Sequence, residues 1–229
     1  MTNTKFSSPK CNPSNIGGLF ISFEGIDGSG KSTQIKLLSD ALRADGYDVV
    51  LTREPGGSKG AEEIRSLVLE GDPDRWSAES EILLFTAARR DHLEKTIFPA
   101  IEAGKIVLCD RFADSTRMYQ GISRGDLRAV VDQLHSLMIG REPDLTFIID
   151  MDPKTGLSRA KSRQTTEERF EDFGEDLQSK MRAGFLKLAQ EFPTRCQLID
   201  GNRDMKNVAA DILARAMAKI SQNMAQQNG

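Results

Sequence analysis

The stretch FEGIDGSGKS, residues 23–32, carries the residue types that hold phosphate. Gly25, Gly30, Lys31 and Ser32 fit the pattern G-x-x-x-x-G-K-[ST], with Ile26, Asp27, Gly28 and Ser29 between them and Thr33 after. Glycines at such positions let backbone N–H groups turn inward onto an anion, and a helix starting at the lysine adds partial positive charge. These residues together read as a loop that binds a nucleoside triphosphate. Lys31 would reach the β- and γ-phosphates of a nucleoside triphosphate, and the Ser32 hydroxyl would ligate Mg²⁺. Asp27 is the anomaly, because a carboxylate inside an anion cradle is a cost unless it meets something other than phosphate.

Two arginines stand ready for a second phosphate. Arg53 in TREPGG (52–57) and Arg111 in CDRF (109–112) each close an apolar run, and two guanidinium forks can clamp one phosphate group. Asp110 is placed to hold Mg²⁺ through water or to orient Arg111, with a buried structural aspartate as the plainer alternative. Phe85 and Arg89 in LFTAAR are four apart and share a helix face. An aromatic platform beside arginine donors suits a base with an O4 acceptor, thymine or uracil, and opposes the N4 amino group of cytosine. A phenylalanine on a helix serves core packing as readily, and the residues alone leave that choice open.

The elements that must position these groups alternate along the chain. LFISFE (19–24), YDVVLTRE (47–54), KIVLCDR (105–111), DLTFIID (144–150) and RCQLID (195–200) read as strands, several of them apolar nearly throughout. Amphipathic stretches lie between them: 32–46, 77–104 with a break expected near Pro99, 126–139, 154–164, 175–190 and 206–223. Strand–helix alternation of this kind predicts an α/β fold, a parallel five-stranded sheet of P-loop NTPase type with helices on both faces. Ligands bind at the carboxyl ends of strands in such sheets. Glu24-Gly25, Arg53-Glu54 and Asp110-Arg111 all fall there.

The bulk composition narrows the class. With 229 residues, a net charge of −3 and a pI near 5.6, a general binder of nucleic acid or membrane surfaces is not expected. Three widely spaced cysteines, Cys11, Cys109 and Cys196, and two histidines argue against a disulfide framework or structural zinc and for a reducing, cytoplasmic setting. No apolar run reaches the roughly 18 residues of a membrane span. Residues 1–17 read as a disordered tail, 18–223 as one domain and 224–229 as a frayed end. The guanine-reading N-K-x-D of GTPases is absent.

The combination FEGIDGSGKST, TREPGG, FTAARRDH, DRFADSTRMYQG, PDLTFIID and GLSRAKSR resembles the thymidylate kinase family over about residues 18–220, with TREPGG fitting its bacterial members. The resemblance implies ATP and dTMP as substrates, Mg²⁺ as cofactor, and a homodimer. It implies that Asp27 faces the 3′-hydroxyl of the deoxynucleotide, a neutral partner that offsets its charge. Arg53 and Arg111 would hold the dTMP phosphate with Asp110 close by, Phe85 would stack on thymine, and Arg89 would read O4. Thr116 and Gln120 would lie near the base and Tyr119 against the 2′ edge of the sugar.

Some family members, mainly eukaryotic, place a catalytic arginine directly after the loop acid, where this chain has Gly28. Bacterial-type members take arginine from a lid, which maps to about 154–172 and offers Arg159, Arg163 and Arg169. Arg163 is the first choice for a charge-stabilising finger, and Arg159 for a contact over adenine. Lys31, Arg111, Asp110 and Arg163 are thus the expected catalytic groups. The rival readings are another nucleoside monophosphate or deoxynucleoside kinase, or a P-loop ATPase without a small acceptor.

Overall fold

The computed structural model describes residues 17–72, 75–122, 125–161 and 174–227. Five strands, β1 (Leu19–Glu24), β2 (Val49–Arg53), β3 (Ile106–Asp110), β4 (Leu145–Asp150) and β5 (Cys196–Asp200), form one sheet in the order β2-β3-β1-β4-β5. Every pairing is parallel. All five fall within the runs read from sequence. The registers align Phe23 with Asp110 and Arg53 with Asp110, so the ends of β1, β2 and β3 meet on one rim.

Alternation along β1 sorts the core into two faces. Leu19, Ile21 and Phe23 pack with Leu108, Phe147 and Ile149 against helices α1 (Lys31–Ala44) and α9 (Met205–Gln227). Ile35, Leu38 and Leu42 are the α1 residues in that cluster, as the spacing in the sequence requires. Phe20, Val107 and Cys109 point the other way and pack with Phe112 and Ile139. A third cluster sets Ile26, Met118 and Tyr119 against Ile148, Met181 and Phe185, and so ties the phosphate loop to helices α5 (Ala113–Tyr119) and α8 (Glu175–Glu191).

Helix α3 (Ala78–His92) is capped by Ser77, whose hydroxyl accepts from Ser80 N at 3.2 Å. It runs through a π-helical turn, Leu93–Ile97, into the short α4 (Phe98–Glu102). Pro99 lies in the first turn of α4, where its missing N–H is not needed, and the wide turn before it resets the ladder. Helix α6 (Arg128–Leu134) also passes into a π-helical turn, His135–Ile139, and stops at Gly140 with φ 62°.

Three differences from the sequence reading are findings. Helix α2 (Lys59–Leu69) was not anticipated; Ser58 caps it, and only Ala61 and Val68 are buried in it. Helix α7 (Pro153–Lys161) begins the expected lid, whose residues 162–172, with Arg163 and Arg169, lie outside the described residues. Helix α9 continues past 223 to Gln227, because Asn223 Nδ2 donates to the Gly17 carbonyl at 2.8 Å and Met224 packs on the core. Of the expected tail, residues 1–16 lie outside the described residues. No helix among the described residues is long and apolar enough to cross a membrane.

Candidate active site

The loop after β1 is shaped by close backbone packing. Gly25 (φ 136°), Gly28 (φ 71°) and Gly30 (φ 98°) all take the left-handed backbone that glycine alone adopts at low cost. A Cβ on Gly28 would sit 2.0 Å from the Gly156 carbonyl oxygen of α7, so the loop has no room for a side chain there. Lys31 opens α1 and is buried. Its Nζ donates to the carbonyls of Gly25 (3.1 Å) and Ile26 (2.8 Å), folding back on the loop. Burial, reinforced by the charge of Arg111, lowers its pKa to about 8. Ser32 Oγ donates to Asp110 Oδ2 at 2.7 Å, which joins the ends of the loop and of β3.

Arg111 is the hub of the rim. It takes φ 69°, rare for a side-chain-bearing residue, where the chain leaves β3. Nη1 donates to the Gly25 carbonyl (3.0 Å) and Ser115 Oγ (2.9 Å), and Nη2 donates to Asp27 Oδ1 and Tyr119 Oη. The Tyr119 hydroxyl donates to Asp27 Oδ2 at 2.8 Å. Burial works to raise the Asp27 pKa, but the charges of Arg111 and Lys31 overcome it and hold the carboxyl below its ordinary range. Behind the hub, Glu24 accepts from Phe112 N (2.7 Å) and Ser115 Oγ (2.6 Å). Burial, with the nearby charge of Asp114 adding to it, raises the Glu24 pKa to about 7.

A cavity opens in front of Arg111. Asp27, Phe85, Arg89, Arg111, Thr116, Tyr119 and Gln120 all line it, and all seven were read from sequence as acceptor-site residues. Arg89 is buried; its Nε donates to Glu54 Oε2 at 2.7 Å and its Nη2 to Thr116 Oγ1 at 3.0 Å. Gln120 Nε2 donates to Glu81 Oε2 at 3.2 Å. A second cavity beyond the phosphate loop is lined by Gly28, Ser29, Gly30, Thr33 and Arg159, together with Arg203 and Met205 after β5. Two cavities thus flank one phosphate loop, the first with a buried arginine at its head. A family model for thymidylate kinase matches residues 23–212.

The chain belongs to the thymidylate kinase family.

Membership makes it an ATP-dependent kinase. The thymidylate kinase of Ruegeria pomeroyi is 77% identical over 195 residues, covering 85% of this chain and 92% of the relative. That of Dinoroseobacter shibae is 66% identical over 197 residues, covering 86% and 95%. A crystal structure of thymidylate kinase from Ehrlichia chaffeensis superposes with a TM-score of 0.72 at 36% identity, over 87% of this chain and 99% of that one.

Two of the expected site residues in this thymidylate kinase have partners within the protein. Arg53 is not among the lining residues of the first cavity; its Nη2 donates to both carboxylate oxygens of Glu62, 3.3 and 3.1 Å away, and its side chain is 54% exposed. Glu62 is held in place for it by the Gly57 N–H. Asp27, for which the resemblance implies the 3′-hydroxyl of a deoxynucleotide, is paired with Arg111.

The structure also adds residues. Glu54, Pro55, Arg65, Leu69 and Ser115 line the first cavity, and Gly201 and Arg203 the second. Glu54 sits inside TREPGG, and Gly201 and Arg203 follow a strand's carboxyl end, so position alone marked both. Arg163 lies outside the described residues.

Mg²⁺ fits what is present. Ser32 and Asp110 put a hydroxyl and a carboxylate in contact beside the loop, both hard oxygen donors. No group of three or more His, Cys, Asp or Glu among the described residues could hold a metal by itself. An ion that keeps its waters and leans on substrate phosphates needs no such cage.

Proposed function

We propose that this protein transfers the γ-phosphoryl group of ATP to the 5′-phosphate of dTMP, giving dTDP and ADP, and that the cavity in front of Arg111 is the dTMP site. The observation that carries this is the convergence of Arg111, Asp27 and Tyr119 at one end of a cavity whose other wall holds Phe85, Arg89, Thr116 and Gln120. A phosphate, a deoxysugar and a base need that sequence of partners.

In this reading the triphosphate lies on the loop 25–32, and Lys31 swings from the Gly25 and Ile26 carbonyls to the β- and γ-phosphates. Ser32 and Asp110 would hold Mg²⁺, Asp110 through water; the ion would neutralise charge on those phosphates. Arg111 orients the dTMP phosphate, and Asp27 accepts from the 3′-hydroxyl. Phe85 packs on thymine, Arg89 donates to O4 through Nη1, and Thr116 and Gln120 touch the base. Nη1 has no hydrogen-bond partner among the described residues. Tyr119 crowds the position of a ribose hydroxyl. Arg159 and the second cavity take adenine, and Arg163 is the expected lid finger.

No general base is required, because a phosphate monoester with a second pKa of about 6 is already largely dianionic at neutral pH. Rate then comes from alignment and from positive charge that meets the transferring group.

A homodimer is supported by exposed apolar residues on α3 and on the segment from α6 through the π-helical turn, Leu83, Val130, Leu137 and Met138. A cytoplasmic setting is supported by Cys109 and Cys196, both buried and unpaired among the described residues. Calorimetric titration with dTMP tests the site. Arg111→Ala and Phe85→Ala are expected to weaken dTMP binding by about 10-fold or more while ATP binding stays close to wild type. Unchanged dTMP affinity in both variants would overturn the assignment.

A further inference from the structure

TREPGG enters the acceptor cavity through its glutamate. Glu54 is 6% exposed, and its carboxylate is held from two sides. Oε2 accepts from Arg89 Nε at 2.7 Å, and Oε1 lies 3.0 Å from His92 Nδ1. His92 is fully buried, one turn beyond Arg89 on α3, and its Nε2 lies 2.6 Å from Thr52 Oγ1. A carboxylate only accepts, so Nδ1 carries a proton, and in the neutral ring Nε2 accepts from the Thr52 hydroxyl. One chain of contacts therefore runs Thr52–His92–Glu54–Arg89–Thr116, from the edge strand β2 through α3 to α5.

The turn packs down on this chain. A Cβ on Gly57 would come within 2.3 Å of Thr52 Oγ1 and 2.4 Å of His92 Nε2, so the glycine backbone lies directly against the dyad. A buried ion pair is a poor source of net stability, since well-packed apolar groups do as well. What the Glu54–Arg89 pair does accomplish is direction. With Nε on Glu54, Nη2 on Thr116 and the guanidinium 5.1 Å over the Phe112 ring, the plane of the fork is fixed and Nη1 is left for a ligand.

We propose that Glu54, held by His92, is a positioning residue that sets base selection by aiming the Arg89 guanidinium. This rests on the reading above that Arg89 meets the base. A hydrogen-bond donor discriminates between an O4 acceptor and an N4 donor only if it cannot swing away from the mismatch.

The test compares kcat and KM for dTMP and dCMP, and KM for ATP, in His92→Phe and His92→Gln. In His92→Phe, KM for dTMP is expected to rise about tenfold and the dTMP-to-dCMP ratio of kcat/KM to fall about tenfold, with KM for ATP within about twofold. His92→Gln keeps a donor for Glu54 and is expected to recover most of both. A folded His92→Phe enzyme with unchanged KM and unchanged ratio overturns the proposal, as does an equal rise for ATP. If His92→Phe does not fold, Thr52→Val at the far end of the chain is expected to move the same two quantities by about threefold, and no movement overturns it. Arg89→Ala in the same assay separates the two claims. Loss of base preference there but not in the His92 and Thr52 variants sinks only the positioning role, whereas preference retained in Arg89→Ala sinks the base-reading role itself.

Discussion

Arg111 and Asp27 form an ion pair across the mouth of the phosphate loop, with Tyr119 donating to the second carboxylate oxygen. This is why an acid is tolerated in an anion cradle. Its charge is met by a guanidinium that also grips the Gly25 carbonyl, so the acid steadies the arginine to which the proposed function assigns the acceptor phosphate.

Asp27→Ala is expected to weaken dTMP binding by about 10- to 100-fold, the scale of a hydrogen bond to a charged group, and to change ATP binding by less than about threefold. Titration of each ligand separately measures both. Equal damage to the two would place Asp27 on the ATP side.

Glu24 gives a pH signature. Its pKa stands at about 7 in the folded protein, above the ordinary value of 4.5, because burial penalises the charged carboxylate. The folded state therefore binds the proton more tightly, and the contribution is present below about pH 4.5 and lost as pH rises through about 7. Against Glu24→Gln, which cannot titrate, wild type is expected to lose about 3 kcal/mol over that window. Urea unfolding of both proteins across the range checks this; a constant difference between them would contradict it.

The site depended unevenly on what a sequence can reveal. The strands were legible because four of the five carry long apolar runs, and the loop because glycine, lysine and serine at fixed spacing have few other uses. Helix α2 escaped because only Ala61 and Val68 are buried in it, which leaves no apolar stripe to read. That Glu54 and not Arg53 lines the first cavity has a similar origin. Strand β2 lies at the sheet edge with Leu51 43% exposed, so its alternation does not say which residue at its end turns inward. Spacing put Phe85 and Arg89 on one helix face and the family resemblance supplied their roles, but Glu54 as the partner of Arg89 is a contact over 35 residues of chain that no local pattern encodes.

Asp114 holds the helix that carries Thr116 and Tyr119. It is 1% exposed and accepts from Arg117 Nη1 and Arg195 Nη1, each at 2.6 Å. Asp114→Ala leaves two guanidiniums without that anion and is expected to cost about 3–5 kcal/mol of stability by chemical denaturation. A loss under about 1 kcal/mol would show that Glu142 and Asp132, the other partners of Arg117, suffice.

Gly28 tests how the loop abuts α7. Alanine there meets both a left-handed backbone, costing about 1–2 kcal/mol, and a carbonyl 2.0 Å from its Cβ. Gly28→Ala is expected to lower the melting temperature and weaken ATP binding by about tenfold or more, with dTMP binding less affected. Wild-type ATP affinity in that variant would mean that the loop and α7 separate at little cost.

The most direct measurement is a coupled ADP-release assay with Mg-ATP and a panel of monophosphates, dTMP, dUMP, UMP, dCMP, AMP and GMP, run on wild type and Arg89→Ala. The expected result is a strong preference for dTMP that Arg89→Ala erases. A panel with no preference, or a preference that survives the loss of Arg89, would contradict the assignment of this cavity as the site where thymine is read.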